Sequence, residues 1–121
     1  MTSDEKFGKK EHILKPSDFR KAYKGGRSFK KNALVLYAFQ NKCAESRIGF
    51  SISSRSVKNA IARNKIRRRL REIYRLNKTK LKTGFDLVVV VKKDISRETS
   101  YKGIEEIFLS LAESARLLKA A

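Results

Sequence analysis

Cationic side chains are the chemically active groups that this sequence concentrates most. The 121 residues include 30 Lys and Arg against 12 Asp and Glu, which gives a formal net charge of +18. Residues 55–82 alone hold 12 of the basic residues and a single acidic one. Guanidinium and ammonium groups bind phosphate oxygens, and the planar fork of arginine also fits base edges. Charge this localised predicts a surface for a polyanion, with nucleic acid the first candidate and an anionic membrane surface the second.

The same basic segment has the periodicity of an amphipathic helix between about residues 58 and 77. Its apolar stripe consists of Ala62, Ile66, Leu70, Ile73 and Tyr74. The basic row beside this stripe consists of Arg63, Arg67, Arg71, Arg75 and Lys78, and it is widened by Lys65, Arg68 and Arg69. Like charges four residues apart destabilise an isolated helix. We therefore expect this helix to face a partner that neutralises its arginines.

Side chains that catalyse reactions or hold metal ions are sparse. His12 and Cys43 are the only residues of their types, so neither a Cys/His zinc site nor an internal disulfide can form. Glu72 is the only acid within the basic helix and is expected to pair with a neighbouring arginine. Glu105 and Glu106 are adjacent on a predicted helix, where they point about 100° apart and cannot hold one ion together. The residues alone predict a protein that binds and has no catalytic or metal site of its own.

The elements that must position these groups form one α+β domain in the predicted order α-β-β-β-α-β-α. Residues 1–14 are polar, basic and aperiodic, and we interpret them as a flexible arm before a single domain at residues 15–121. The predicted helices cover about 16–25, 58–77 and 101–119, and the predicted strands cover 27–31, 32–40, 48–53 and 85–91. This order predicts a sandwich in which a central sheet is covered by the basic helix and the C-terminal helix.

A second group of candidate residues combines aromatic and small polar side chains. Phe19 and Tyr23 are four residues apart on the first predicted helix, and Tyr37 lies on the central strand. Ser51 and Ser53 alternate with apolar residues on the next strand and share one of its faces. Such residues can stack unpaired bases beside a small polar surface. Aromatic residues four apart on a helix are more often core residues, and the serine face of the strand is equally typical of ordinary solvent exposure, so these interpretations stay open.

The basic helix carries a recognisable motif. Residues 59–72 read Asn-Ala-Ile-Ala-Arg-Asn-Lys-Ile-Arg-Arg-Arg-Leu-Arg-Glu. This segment resembles the signature helix of the bacterial ribonuclease P protein subunit, whose pattern is approximately Asn-Ala-Val-x-Arg-Asn-Arg-Ile-Lys-Arg-x-x-Arg. The likeness covers about residues 13–118 and includes Asp18-Phe19, Gly26-Arg27-Ser28-Phe29, Leu36-Tyr37, Gly49-Phe50-Ser51-Ile52-Ser53 and Tyr101. The chain departs from the family pattern at Lys65, which replaces an arginine, at Lys58, which replaces a common glycine, and at Tyr23, which replaces a common phenylalanine.

The resemblance implies the role and the sites of a ribonucleoprotein subunit. In this family the RNA subunit holds the catalytic Mg²⁺ and cleaves precursor tRNA at the 5′ end of the mature sequence, while the protein is an accessory subunit without a metal of its own. The residues implied to bind the RNA subunit are Arg63, Asn64, Lys65, Arg67, Arg68, Arg69 and Arg71. Those implied to line a cleft for the single-stranded 5′ leader are Phe19, Tyr23, Tyr37, Ser51 and Ser53. The resemblance also implies a left-handed βαβ crossover around the basic helix.

The main alternative is a ribosomal-type protein that binds structured rRNA, which needs the same charge but no leader cleft. A helix-turn-helix that reads DNA is disfavoured because a strand precedes the basic helix. Membrane binding is disfavoured because the apolar stripe lacks large aromatic anchors at an interface. The charged N-terminus and the short apolar run at 87–91 also predict neither a signal peptide nor a membrane span. We therefore expect a cytoplasmic protein whose partners are ribonuclease P RNA and precursor tRNA, and neither DNA nor a membrane.

Overall fold

The computed structural model of the protein describes residues 15–95 and 100–119, and the predicted arm at residues 1–14 lies outside this part. The helices are α1 (Pro16–Gly25), α2 (Ala60–Asn77) and α3 (Tyr101–Ser114), and a short 3-10 turn at Lys78–Lys80 follows α2. The strands are β1 (Arg27–Lys31), β2 (Leu34–Gln40), β3 (Arg47–Ile52) and β4 (Phe85–Val91). Their order along the chain confirms the predicted α-β-β-β-α-β-α arrangement.

The four strands form one sheet in the order β1-β2-β4-β3. β2 pairs antiparallel with both β1 and β4, whereas β3 and β4 are parallel. A parallel pair needs a crossover connection, and α2 provides it, so β3, α2 and β4 form a βαβ unit. The left hand of this crossover stays a prediction. β2 and β4 occupy the interior of the sheet, which explains why both are apolar on two faces.

Helices cover the two faces of the sheet unequally. On one face, Val89 of β4 shares the main core with Leu70 of α2 and Phe108 of α3, and all three are buried. On the other face, Ala22 of α1 packs against Val88 of β4, and both are fully buried. The prediction that α2 and α3 cover the sheet is confirmed. Among residues 15–95 and 100–119, α1 is the helix that packs on the second face, and Tyr37, Phe39 and Val90 on that face stay partly exposed.

The last helix is shorter than the sequence predicts. Periodicity predicts a helix to residue 119, but α3 ends at Ser114. The chain reverses at Arg116, which adopts the left-handed backbone conformation with a φ of 58°. Leu118 then forms an antiparallel bridge with Leu81, which precedes β4. Leu118 has the spacing of the apolar stripe of the helix, so local periodicity could not show that it packs from an extended segment.

A cluster of polar residues fastens α1 to the sheet. The guanidinium of Arg47, on β3, donates to both carboxylate oxygens of Asp86 on β4, at 2.6 and 2.9 Å. It also lies 3.4 Å from the carboxylate of Asp18 on α1. Asp86 is buried and accepts a further hydrogen bond from the side-chain amide of Asn41 at 2.9 Å. The hydrogen bonds to Asp86 raise the pKa of Arg47, so Arg47 stays charged and holds the two carboxylates together.

Replacing Arg47 with alanine is expected to lower the free energy of unfolding by about 3 kcal/mol, because it leaves two buried carboxylates without their cation. This value lies at the lower end of the range for buried pairs because 33% of the Arg47 side chain is exposed. Urea denaturation measures the change, with Arg20→Ala as a control that removes one exposed positive charge from α1. A loss no greater than that of the control would contradict the role of the cluster.

Candidate RNA-binding surfaces

A capping residue sets the start of α2, and the apolar stripe of the helix determines which side of α2 faces the sheet. The side-chain oxygen of Asn59 accepts hydrogen bonds from the backbone N–H groups of Ile61 at 2.8 Å and Ala62 at 3.2 Å. Ile66 and Ile73 are fully buried in the core. The helix therefore presents the sides that carry its arginines away from the sheet.

An open depression on the exposed side of α2 is lined by Asn64, Arg67, Arg68 and Arg71. The Arg67 guanidinium donates to the side-chain oxygen of Asn64 at 3.1 Å. Lys65, the residue after Asn64, is exposed as well. We call Asn64, Lys65, Arg67, Arg68 and Arg71 the α2 basic surface. Several guanidinium groups around one open site can bind neighbouring phosphates of a nucleic acid backbone.

Two residues of the predicted RNA-subunit set are placed differently. Arg63 is partly buried, and its Nη1 donates to the backbone carbonyls of Val57 at 2.8 Å and Lys58 at 3.1 Å. Arg63 therefore holds the turn that leads into α2. Arg69 is partly buried, as Arg67 is, but unlike Arg67 it does not line the open depression. The sequence could not separate these two arginines from the others, because every member of the set lies in the same motif.

The one acid of the helix pairs within the helix, as predicted. Glu72 accepts hydrogen bonds from Arg75, at 3.0 Å from Nε and 2.8 Å from Nη2. These hydrogen bonds lower the pKa of Glu72, so its carboxylate stays ionised. Glu72 thus forms an ion pair with Arg75 near the end of α2.

The three aromatic residues of the predicted cleft meet on the opposite face of the sheet. Tyr23 of α1 and Tyr37 of β2 pack edge to face, with their ring centroids 4.9 Å apart. Phe19, one turn earlier on α1, has its ring centroid 6.3 Å from that of Tyr23. Tyr23 is 40% exposed. The aromatic group is therefore packed together and still open to solvent, which is the combination that base stacking requires.

The two predicted serines separate at the end of β3. Strand pairing places Ser51 beside Val90 of β4, and Val90 beside Val35 of β2, on the face that α1 covers in part. Ser53 lies beyond the strand, where its hydroxyl accepts a hydrogen bond from the backbone N–H of Ser56 at 3.2 Å. Ser51 thus belongs to the same face as the aromatic residues, whereas Ser53 stabilises the turn towards α2.

Strand pairing also adds residues that sequence analysis missed. β1 pairs with β2 so that Ser28 lies opposite Tyr37 and Lys30 lies opposite Val35. Both β1 residues are exposed. Residues 27–31 were predicted as a strand, but the residues of a strand cannot be assigned to a face of the sheet before its partner and register are known. We call the set Phe19, Tyr23, Lys30, Val35, Tyr37, Ser51 and Val90 the aromatic cleft.

The α2 basic surface and the aromatic cleft lie on different sides of the sheet. α1 and the aromatic cleft occupy one face, whereas α2 packs on the other. β3 is one of the two edge strands, and the chain passes from it into α2. Two separate stretches of RNA can therefore contact the protein at the same time.

Within residues 15–95 and 100–119, no group of three or more His, Cys, Asp or Glu side chains is placed to hold a metal ion. Asp18 and Asp86 approach each other, but Arg47 occupies the position between them that a cation would take. Cys43 is exposed, and His12 lies outside the described residues. In the same part of the chain, no helix is long and apolar enough to cross a membrane.

Comparison with known families decides between the ribonuclease P and ribosomal alternatives. The family model for ribonuclease P matches residues 7–116. The chain belongs to the ribonuclease P protein family. This result confirms the resemblance carried by the motif of the basic helix. It makes the chain a protein subunit of ribonuclease P, the enzyme that processes the 5′ ends of tRNA.

Relatives in the ribonuclease P protein family match nearly the whole chain. The ribonuclease P protein component of Clostridioides difficile (strain 630) is 40% identical over 108 residues, which cover 88% of this chain and 93% of the relative. That of Alkaliphilus metalliredigens (strain QYMF) is 36% identical over 106 residues, which cover 88% and 94% of the two chains.

Solved ribonuclease P proteins share the fold. A Staphylococcus aureus RNase P protein mutant with defective mRNA degradation activity matches with a TM-score of 0.82 and 28% identity, over 91% of this chain and 92% of the other. The RNase P protein from Thermotoga maritima matches with a TM-score of 0.78 and 30% identity, over 86% and 96% of the two chains. The predicted α+β sandwich is therefore the fold of ribonuclease P proteins.

Proposed function

We propose that this ribonuclease P protein assists an RNA subunit that carries the active site, and that it binds two RNAs through two surfaces. The α2 basic surface binds the RNA subunit, and the aromatic cleft binds the single-stranded 5′ leader of precursor tRNA. The observation that carries this proposal is the position of the two surfaces on opposite faces of one sheet. Both RNAs can then be held together, in the cytoplasm, where we place the reaction.

Assembly with the RNA subunit is supported by the charge density of α2. Arg67, Arg68 and Arg71 border one open depression. Guanidinium groups bind phosphates through paired hydrogen bonds, and each neutralised phosphate releases condensed counterions. Repulsion among the arginines of the free helix is relieved when RNA binds. Binding of the RNA subunit should therefore weaken steeply as salt is raised.

Recognition of the leader is supported by the chemistry of the aromatic cleft. Tyr23 and Tyr37 offer ring surfaces to an unpaired base. Lys30 and Ser51 lie on the two edge strands, β1 and β3, with β2 and β4 between them. An ammonium and a hydroxyl at these positions can contact the sugar–phosphate backbone of a strand that crosses the sheet. Mature tRNA lacks the leader, so the cleft favours the precursor.

We place the catalytic Mg²⁺ on the RNA subunit. The carboxylates of Asp18 and Asp86 are already engaged by Arg47. Mg²⁺ prefers oxygen ligands and keeps several of its waters, and RNA phosphates supply such oxygens. The protein lowers the magnesium requirement because its cations neutralise phosphates that Mg²⁺ must otherwise screen.

The test is cleavage of a precursor tRNA by a bacterial ribonuclease P RNA, with and without this protein, across a range of magnesium concentrations. The substrate carries a leader of several nucleotides, so that the leader can reach the cleft. We expect cleavage at the 5′ end of the mature sequence to require the protein at low magnesium and to require it less as magnesium rises. Failure of the protein to stimulate cleavage at low magnesium would contradict the proposal.

A further inference from the structure

A second group of basic residues lies outside the two surfaces described above. It consists of Lys80, Lys82, Arg116 and Lys119, and all four are exposed. We call these residues the terminal basic patch. They come from two segments that are distant in sequence and are joined by the antiparallel bridge between Leu81 and Leu118. Residues 83–121 carry equal numbers of basic and acidic side chains, so Arg116 and Lys119 join Lys80 and Lys82 only because the chain folds back on the segment after α2.

The pairing places two lysines of the terminal basic patch directly opposite each other. The backbone N–H of Lys119 donates to the carbonyl oxygen of Lys80 at 2.8 Å, and that of Lys82 donates to the carbonyl oxygen of Leu117 at 2.6 Å. Like charges at opposed positions of an antiparallel pair destabilise it. None of the four side chains makes an ion pair with a described residue that would offset this repulsion.

The backbone of Arg116 reverses the chain at the end of α3 and so places the last residues of the patch. Its φ of 58° lies in the left-handed region, where the side chain crowds the backbone and where glycine or asparagine commonly ends a helix. The turn is closed by backbone hydrogen bonds, from the N–H of Arg116 to the carbonyl oxygen of Glu113 at 2.9 Å and from the N–H of Leu117 to that of Ala112 at 2.9 Å. The turn brings the Arg116 and Lys119 side chains to the segment that carries Lys80 and Lys82, and the repulsion among these charges is what a bound polyanion would offset.

We infer that the terminal basic patch is a second site for the RNA subunit, where it binds backbone phosphates beyond those bound at the α2 basic surface. Because β3 and β4 are parallel, α2 starts at the end of the sheet where β3 ends and returns the chain to the opposite end, where β4 begins. The 3-10 turn at Lys78–Lys80 carries the chain directly from α2 into the patch. An RNA segment that follows α2, which is about 27 Å long at its residue count, therefore runs on to the patch.

The RNA subunit fits the patch better than the leader does. The leader is assigned to the face that carries α1, whereas the patch continues from the end of α2, which packs on the other face. This inference rests on the proposed binding of the RNA subunit by α2. It adds a second contact area at the far end of that helix.

The experiment measures binding of ribonuclease P RNA, without precursor tRNA, as a function of salt concentration. The variant Lys80→Gln with Lys119→Gln is compared with the wild type and with Lys21→Gln plus Lys24→Gln, which removes two exposed positive charges from α1. We expect the patch variant to bind about 3- to 30-fold more weakly and to flatten the slope of log Kd against log salt by about 2, one for each phosphate contact. The α1 variant should match the wild type.

Thermal melting separates a binding role from a structural one. Lys80→Gln with Lys119→Gln removes the opposed charges, so it should melt no lower than the wild type at low salt. Arg116→Gly should weaken RNA binding and also melt no lower, because glycine tolerates the left-handed backbone. A lowered Tm for these variants, together with an unchanged salt slope, would show that the residues serve the fold and would overturn the inference.

The same measurements distinguish failure of this inference from failure of the proposed function. If the wild type binds ribonuclease P RNA and substitutions on the α2 basic surface weaken that binding while the patch variant does not, only the second site is wrong. If the patch variant loses affinity only when precursor tRNA is present, the patch binds the substrate and the inference is also overturned. If the wild type does not bind ribonuclease P RNA, the proposed function itself fails.

Discussion

Alanine at both Arg67 and Arg68 is expected to weaken binding of ribonuclease P RNA by about a hundredfold at physiological salt, which corresponds to roughly 1.4 kcal/mol for each residue. Both side chains border the open depression on α2, and Arg67 is oriented by its hydrogen bond to Asn64. Each guanidinium that leaves the interface removes a charge-assisted contact to phosphate and the counterion release that accompanies it. The loss should therefore be largest at low salt and shrink as salt rises.

Binding to ribonuclease P RNA across a salt series measures this loss. The slope of log Kd against log salt should flatten by about 2, while Lys21→Ala with Lys24→Ala, exposed on α1, should keep the wild-type slope. Lysine at both arginine positions keeps the charge and loses the paired hydrogen bonds, so it should keep the slope and lose part of the affinity. An unchanged slope in the double alanine variant would contradict the assignment of the α2 basic surface.

Replacing Tyr23 with alanine is expected to weaken binding of precursor tRNA to the holoenzyme by about 5- to 150-fold, since stacking contributes about 1–3 kcal/mol per base. Binding of mature tRNA should be nearly unchanged. Tyr23 is 40% exposed and packs edge to face on Tyr37. Its ring can therefore contact a base without rearrangement of the fold.

Two controls make the Tyr23 result specific to leader stacking. Tyr23→Phe keeps the ring and should bind the precursor almost as the wild type does. Leu76→Ala truncates another exposed apolar side chain, on α2 and away from the cleft, and should leave precursor binding unchanged. The effect of Tyr23→Ala should also disappear when the leader is too short to reach the cleft. Equal losses for precursor and mature tRNA would show that Tyr23 acts through something other than the leader.

The two sets of substitutions should act independently when they are combined. Arg67 and Arg68 lie on α2, and Tyr23 lies on α1, on the other side of the sheet. Free-energy changes at distant sites without shared partners usually add. A variant with all three substitutions should therefore lose precursor affinity by about the product of the separate losses.

Local patterns in the sequence were enough to place most elements and one of the two surfaces. The period of apolar residues predicted α2 and its arginine-rich side, because a helix spaces its neighbours regularly along the chain. The same reasoning predicted that Glu72 pairs with an arginine of the same helix, and the structure shows that this arginine is Arg75, three residues on. The family motif lies within this helix, so it needed no tertiary information to be recognised.

Spacing along the chain did not determine which residues share the aromatic cleft. Phe19 and Tyr23 had a pattern more typical of core residues than of a binding site, and only the tertiary structure shows that they pack beside Tyr37 and that Tyr23 stays 40% exposed. Ser51 and Ser53 had the same alternation, but β3 ends at Ile52, so only Ser51 lies on the cleft face. Where a strand ends depends on its hydrogen-bonded partner, which is distant in sequence.

The sequence by itself therefore determined the charge of this protein, the order of its elements, and the motif that places it among ribonuclease P proteins. Tertiary structure alone decided which face of the sheet each candidate residue joins. It also brought Lys119, near the end of a segment that has no net charge in sequence, opposite Lys80. The physical reason is the distance along the chain over which the interactions act. Helical periodicity and local charge depend on neighbours in sequence, whereas strand register and chain reversal depend on contacts between residues that are far apart along the chain.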